Sequence, residues 1–189
     1  MSVVRALVAA LMLGIGLAGA PAYAFDVNLF NENPVFSAAA AGNVRQLQDQ
    51  LLKGENPNGG DSKGTPAIVA AAAGGHNEAV KALLEQHAQV DLPDSSGNTA
   101  LIQAAANGRR EVVLTLIAAG AKPNASNRNG ETALIRAARG GHTTVVSDLL
   151  AKGADVNATD FAGQSALAYA EQSRSRPVMQ LLMNAGAKR

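Results

Sequence analysis

Short apolar runs alternate with polar, glycine-closed turns along most of this chain, and the alternation repeats at a fixed interval. Gly42, Gly75, Gly108 and Gly141 stand at that interval. The stretch from Gly130 to Asn157, GETALIRAARGGHTTVVSDLLAKGADVN, has counterparts one period earlier (GNTALIQAAANGRREVVLTLIAAGAKPN) and two periods earlier (GTPAIVAAAAGGHNEAVKALLEQHAQVD). A period of about 33 residues is the signature of a stacked array, in which each unit buries its apolar face against its neighbours. The pattern predicts two short helices per unit. Ala38, Ala71, Ala104, Ala137 and Ala170 share one position of the first helix, and a small residue recurring there means that another backbone comes close. Leu83-Leu84, Leu116-Ile117 and Leu149-Leu150 form the apolar stripe of the second. Gly120-Ala121 and Gly153-Ala154 end that helix, with His87-Ala88 as the variant.

Each unit opens on a turn. Asp61, Asp94 and Asn127 begin it and Gly64, Gly97 and Gly130 close it. Asp and Asn bond their own backbone in such turns, and Gly accepts positive φ. Pro66, Thr99 and Thr132 stand where the first helix begins, and Thr there caps free N–H groups. In the unit opened by Asp61, Thr and Pro are displaced by one (Thr65-Pro66), which predicts an irregular helix start. The ends of the array depart from the script. Phe25, Leu29, Phe30 and Phe36 are expected to cover its first end. The predicted helices of that unit run from Val35 to Ala41 and from Val44 to Lys53. The last unit begins at Asp160-Phe161-Ala162-Gly163 and carries EQSRSR over 171–176, with Pro177 in the first turn of its second helix.

These residues resemble the ankyrin repeat, whose consensus reads roughly D-x-x-G-x-T-P-L-H-x-A-A-x-x-G-H, an apolar helix, then L-L-x-x-G-A-D-V-N-A. The chain has DSSGNTALIQAAANGR at Asp94–Arg109, NRNGETALIRAARGGH at Asn127–His142 and LLAKGADVNA at Leu149–Ala158. The resemblance implies an all-α repeat fold, an ankyrin-type solenoid of stacked β-turn and helix-turn-helix units. Their boundaries would be 25–60 (N-terminal cap), 61–93, 94–126, 127–159 and 160–189 (C-terminal cap). The chain departs from the consensus at T-P-L-H. Its Pro is Ala100, Ala133 and Ala166 here, and its His is Ile102, Ile135 and Ala168. Apolar contact is expected to replace the hydrogen bond which that His makes in the family.

Composition adds a compartment and removes some functions. Residues 1–24, MSVVRALVAALMLGIGLAGAPAYA, combine one basic residue, an apolar run and an Ala22-Tyr23-Ala24 end. That pattern reads as a secretory signal peptide of bacterial type, cleaved after Ala24, with the periplasm as destination. The rival reading is a retained membrane anchor, whose apolar core falls short of the ~20 residues that span a bilayer. The remainder, Phe25 to Arg189, is five periods long. Without Arg5 it holds 15 basic and 15 acidic side chains. Such balance argues against a general binder of nucleic acid or anionic membrane. Cysteine is absent, which excludes disulfides and thiolate zinc sites.

No catalytic, metal or cofactor constellation emerges. His76 and His142 occupy the turn between the helices of a unit, and His87 stands at a helix end. Asp91/Asp94 and Asp155/Asp160 belong to the loop pattern, and Gly74-Gly75 and Gly140-Gly141 lack a phosphate-loop context. The resemblance implies instead that a partner protein is gripped on a concave face by turn tips and exposed positions of the first helix. Carried over by position, the partner-binding residues are Lys63, Ser96, Asn98, Asn107, Arg128, Asn129, Glu131, Arg139, Phe161 and Gln164. Arg and aromatic residues dominate binding hot spots, so Arg128, Arg139 and Phe161 are the expected anchors. The competing reading of Phe161 folds it back onto the last unit as a cap. The expected function is a non-enzymatic, monomeric protein-interaction module in the bacterial envelope. Its alternatives are an inner-membrane-anchored scaffold, an immunity-type or accessory partner of a periplasmic enzyme or toxin, and, most remotely, a hydrolase on a repeat scaffold.

Overall fold

The computed structural model describes residues 33–188. The leader and the residues Phe25, Leu29 and Phe30 lie outside the described residues, as does Arg189. Among the described residues five helix pairs follow one another: α1 (Pro34–Ala40) and α2 (Val44–Leu52), α3 (Ala67–Gly74) and α4 (Asn77–Glu85), α5 (Ala100–Ala106) and α6 (Arg110–Ala118), α7 (Ala133–Arg139) and α8 (Thr143–Ala151), α9 (Ala166–Gln172) and α10 (Arg176–Asn184). First helices pack on first helices and second on second, so two helical layers run along the array. Isolated bridges, Gly60 to Pro66, Ser126 to Thr132 and Thr159 to Ser165, pinch the base of three of the turns.

Packing explains the periodic residues. Ala38, Ala71, Ala104, Ala137 and Ala170 are buried, as are Ile68, Leu101, Leu134 and Leu167 on the first helices. Leu83, Leu116, Leu149 and Leu182 fill the layer of second helices. Ile102 and Ile135, which replace the consensus His, lie fully within the core, so apolar contact does take over at those two positions. Thr99, Thr132 and Ser165 accept from the N–H groups of Ile102, Ile135 and Ala168 at 3.4, 3.3 and 3.3 Å, capping α5, α7 and α9. Pro66 has no such acceptor, yet α3 begins in register and the expected irregularity is absent. The proline ring holds φ at −64°, already suited to entering a helix.

A bond ladder that the pattern did not reveal joins neighbouring units. The Oδ1 atoms of Asn58, Asp91, Asn124 and Asn157, themselves one period apart, accept from the backbone N–H of Gln89, Lys122, Asp155 and Lys188. The distances are 2.8, 3.2, 2.8 and 2.9 Å. Each bond spans 31 residues and ties one loop to the next. The histidines between helices are structural as well. His142 Nε2 lies 3.0 Å from the Ala106 carbonyl of the preceding unit, and the His76 ring lies against Gly42 and Gly74.

Candidate interaction surface

Four turns of one design present the surface. In each, the first residue's Oδ1 accepts from two backbone N–H groups. Asp61 takes those of Lys63 and Thr65, Asp94 those of Ser96 and Asn98, Asn127 those of Asn129 and Glu131, and Asp160 those of Ala162 and Gln164, all at 2.7 to 3.0 Å. The last three turns are also joined tip to tip. Arg128 N–H donates to the Ser96 carbonyl at 3.1 Å and Phe161 N–H to the Asn129 carbonyl at 2.9 Å. The tips therefore hold a set spacing while their side chains point outward.

Beneath them the first helix closes on its own turn. The residue nine positions after the turn opener reaches back to it. Gln103 donates to Asp94 at 3.5 Å and Tyr169 Oη to Asp160 Oδ2 at 2.6 Å. In the unit between these two the opener is Asn127, which carries no charge, and Arg136 bonds Glu131 instead, at 3.1 Å. Glu131 also takes Arg139 at 2.5 Å and the Asn127 amide at 3.0 Å. The Arg139 guanidinium lies 3.9 Å from the centre of the Tyr169 ring, and Asn127 donates to Asn98 at 2.9 Å. One polar chain thus crosses three units, Asn98–Asn127–Glu131–Arg139–Tyr169–Asp160.

The charges of this chain follow from its bonds. Burial by itself raises the Glu131 carboxyl, but the Asn127 amide and the Arg136 and Arg139 charges outweigh it and hold it below its ordinary value. The Tyr169 hydroxyl, ahead of two backbone bonds, likewise lowers Asp160, which in turn raises Tyr169. Carboxylates so placed stay ionised at neutral pH, so they hold cations rather than deliver protons. Among the described residues, no group of three His, Asp or Glu is arranged to hold a metal ion.

The structure gathers half of the expected partner-binding residues into one cleft. Arg128, Asn129, Glu131, Arg139 and Phe161 line it together with Asp160, Ala162 and Tyr169, around about 480 Å³. Arg128 and Asn129 are exposed. Phe161 is 80% exposed, and its ring lies against Gly130 of the preceding turn rather than capping the last unit. Glu131 needs correction. The sequence placed it on a turn tip, but it is only 3% exposed, with its carboxylate shared among three neighbours. Arg139 is half-buried and committed to Glu131 and Tyr169, so it supports the cleft floor.

The other five residues lie elsewhere. Lys63 and Ser96 are exposed tips of earlier turns, and Asn98 is half-buried beneath its own. Asn107 ends α5, donating to the Gln103 and Ala73 carbonyls at 3.1 and 3.4 Å. Gln164 accepts from Gln172 at 3.0 Å. Sequence reasoning missed Arg136, Tyr169 and Asp160. Gln103, Arg136 and Tyr169 occupy one repeat position with three different residues, and that variability is the signal which marks them.

The family model described as ankyrin repeats, in three copies, matches residues 35–127 and 119–188. No curated protein matches the chain. Among the described residues, no helix is long and apolar enough to cross a membrane. The matched residues carry all four turns and nearly all of the five helix pairs described above, and the chain belongs to the ankyrin repeat family.

Proposed function

We propose that the chain is a non-enzymatic module that binds a partner protein on its turn and first-helix face in the bacterial envelope, after loss of residues 1–24. Ankyrin repeats are generally protein–protein interaction modules. For this chain the carrying observation is the rigid row of tips. Backbone bonds lock the Ser96, Arg128–Asn129 and Phe161 turns to one another, while Arg128, Asn129 and Phe161 keep their side chains in solvent. A preorganised surface loses little entropy on binding, so modest contacts suffice. An envelope enzyme or toxin held by this face fits the leader's pattern.

The test is site-specific photo-crosslinking in envelope extract. The reactive side chain is placed at Asn129 on a tip or at Gln180, an exposed position on α10. A discrete product from position 129 and none from 180 is the expected result. Products from 180 alone, or from neither position, would sink the reading.

A further inference from the structure

We infer that the cleft between the Asn127 and Asp160 turns takes an acidic, aromatic-bearing segment of the partner protein, an inference that rests on the interaction reading above. The cleft is asymmetric in what it leaves unmet. Its acceptors are satisfied: Glu131 is held by Asn127, Arg136 and Arg139, and Asp160 by Tyr169 and the N–H groups of Ala162 and Gln164. Its outermost cation is not. The Arg128 guanidinium is exposed and forms no ion pair among the described residues. Glu131 and Asp160 are already paired within the site, which leaves the Arg128 guanidinium as the exposed, unpaired cation of the cleft. A guanidinium is matched in shape to a carboxylate and bonds it through two parallel N–H groups.

The apolar half stands one unit away. Phe161 occupies the repeat position held by Arg128, Ser95 and Ser62 in the earlier turns. One side of its ring is backed by Gly130, where an added Cβ would come within 2.7 Å of the ring, and the other side is open. An exposed ring that rests on backbone on one side offers its other face as contact area. An extended peptide places alternate side chains on one face about 7 Å apart, which lets a carboxylate address Arg128 while its aromatic neighbour stacks on Phe161. Arg128 is a single unpaired cation in a chain whose 15 basic and 15 acidic side chains after residue 24 balance. Phosphate-backbone binding needs a broad basic stripe, so the occupant is a peptide segment and not nucleic acid.

The experiment is an NMR titration of the isotope-labelled chain with three probes: a peptide of alternating glutamate and phenylalanine, the same peptide with lysine for glutamate, and a thymidine oligonucleotide. The expected result is shifts confined to the amides of Asn129, Phe161 and Ala162 and their neighbours, with the glutamate peptide favoured by about tenfold over the lysine peptide. Arg128→Glu should invert that preference and Phe161→Ala should weaken the glutamate peptide. Both positions are exposed, and an unchanged thermal melt verifies that the fold is kept. Equal binding of the two peptides, a preference unmoved by Arg128→Glu, no shifts in the cleft, or tighter binding of the oligonucleotide overturns the inference. The interaction reading fails separately. A crosslink from Asn129 alongside a negative titration leaves it standing and removes only the acidic partner.

Discussion

Glu131 joins the turn of one unit to the helix behind it and, through Arg139 and Tyr169, to the next unit. Replacing it with glutamine preserves its shape and strips two half-buried guanidinium groups of their counter-ion. Glu131→Gln should therefore cost about 2–3 kcal/mol in urea unfolding, whereas Asn129→Ala on the adjacent exposed tip should stay within about 0.5 kcal/mol. The same residue sets part of the acid response. Its folded-state pKa lies below its ordinary 4.5, and that of Asp160 below its ordinary 3.8. A depressed carboxyl contributes stability that is complete above the unfolded value and is lost as pH falls through the folded one. The native chain should lose stability as pH drops below 4.5, and the Glu131→Gln variant should show a flatter acid limb in melts taken across that range.

At the scale of the helix, the left-handed residue after each second helix is glycine except in one internal unit. His87 takes that conformation at φ 62°, where Gly54, Gly120 and Gly153 do so elsewhere. An L side chain there costs about 1–2 kcal/mol, partly offset by its smaller loss of backbone entropy. His87→Gly should raise stability by about 0.5–1 kcal/mol, read from the urea midpoint. Gly108→Ala tests the reverse case. Its φ is +65° and the new Cβ would fall 2.6 Å from the His142 ring, so a loss of about 2 kcal/mol or more is expected. In the bond ladder, Asn124→Ala removes the acceptor for Asp155 N–H and the donor to the Gly153 carbonyl at once. Two lost bonds should cost about 1–2 kcal/mol.

At the scale of the molecule, each unit is stabilised mainly by its neighbours. The last unit has a neighbour on one side only, so amides of α10 should exchange with solvent faster than those of α6, measured by hydrogen exchange under native conditions. The leader's role is decided by mass. Protein recovered from the envelope should begin at Phe25; a chain that retains residues 1–24 would point to display from the inner membrane instead.

The architecture was legible because it is periodic. Alanines at one repeat position, paired leucines at another and Gly-closed turns each recur often enough to be read as packing, capping and reversal without coordinates. Asn58, Asp91, Asn124 and Asn157 recur just as regularly, but which atom they bond depends on how far one loop overhangs the next, and spacing does not encode that. The cleft was half legible. Arg128 and Phe161 announced themselves as departures from the repeat on exposed tips. Glu131 departs from it too, yet it is buried, because the uncharged Asn127 leaves Arg136 without a carboxylate at the turn opener and Glu131 turns inward to supply one. Sequence alone determined the units, their helices and their order, since those depend on local propensity and on a periodic apolar face. Only the tertiary structure decided which variable residues stay exposed and which serve the fold, because that depends on side chains from three different units competing for the same charges.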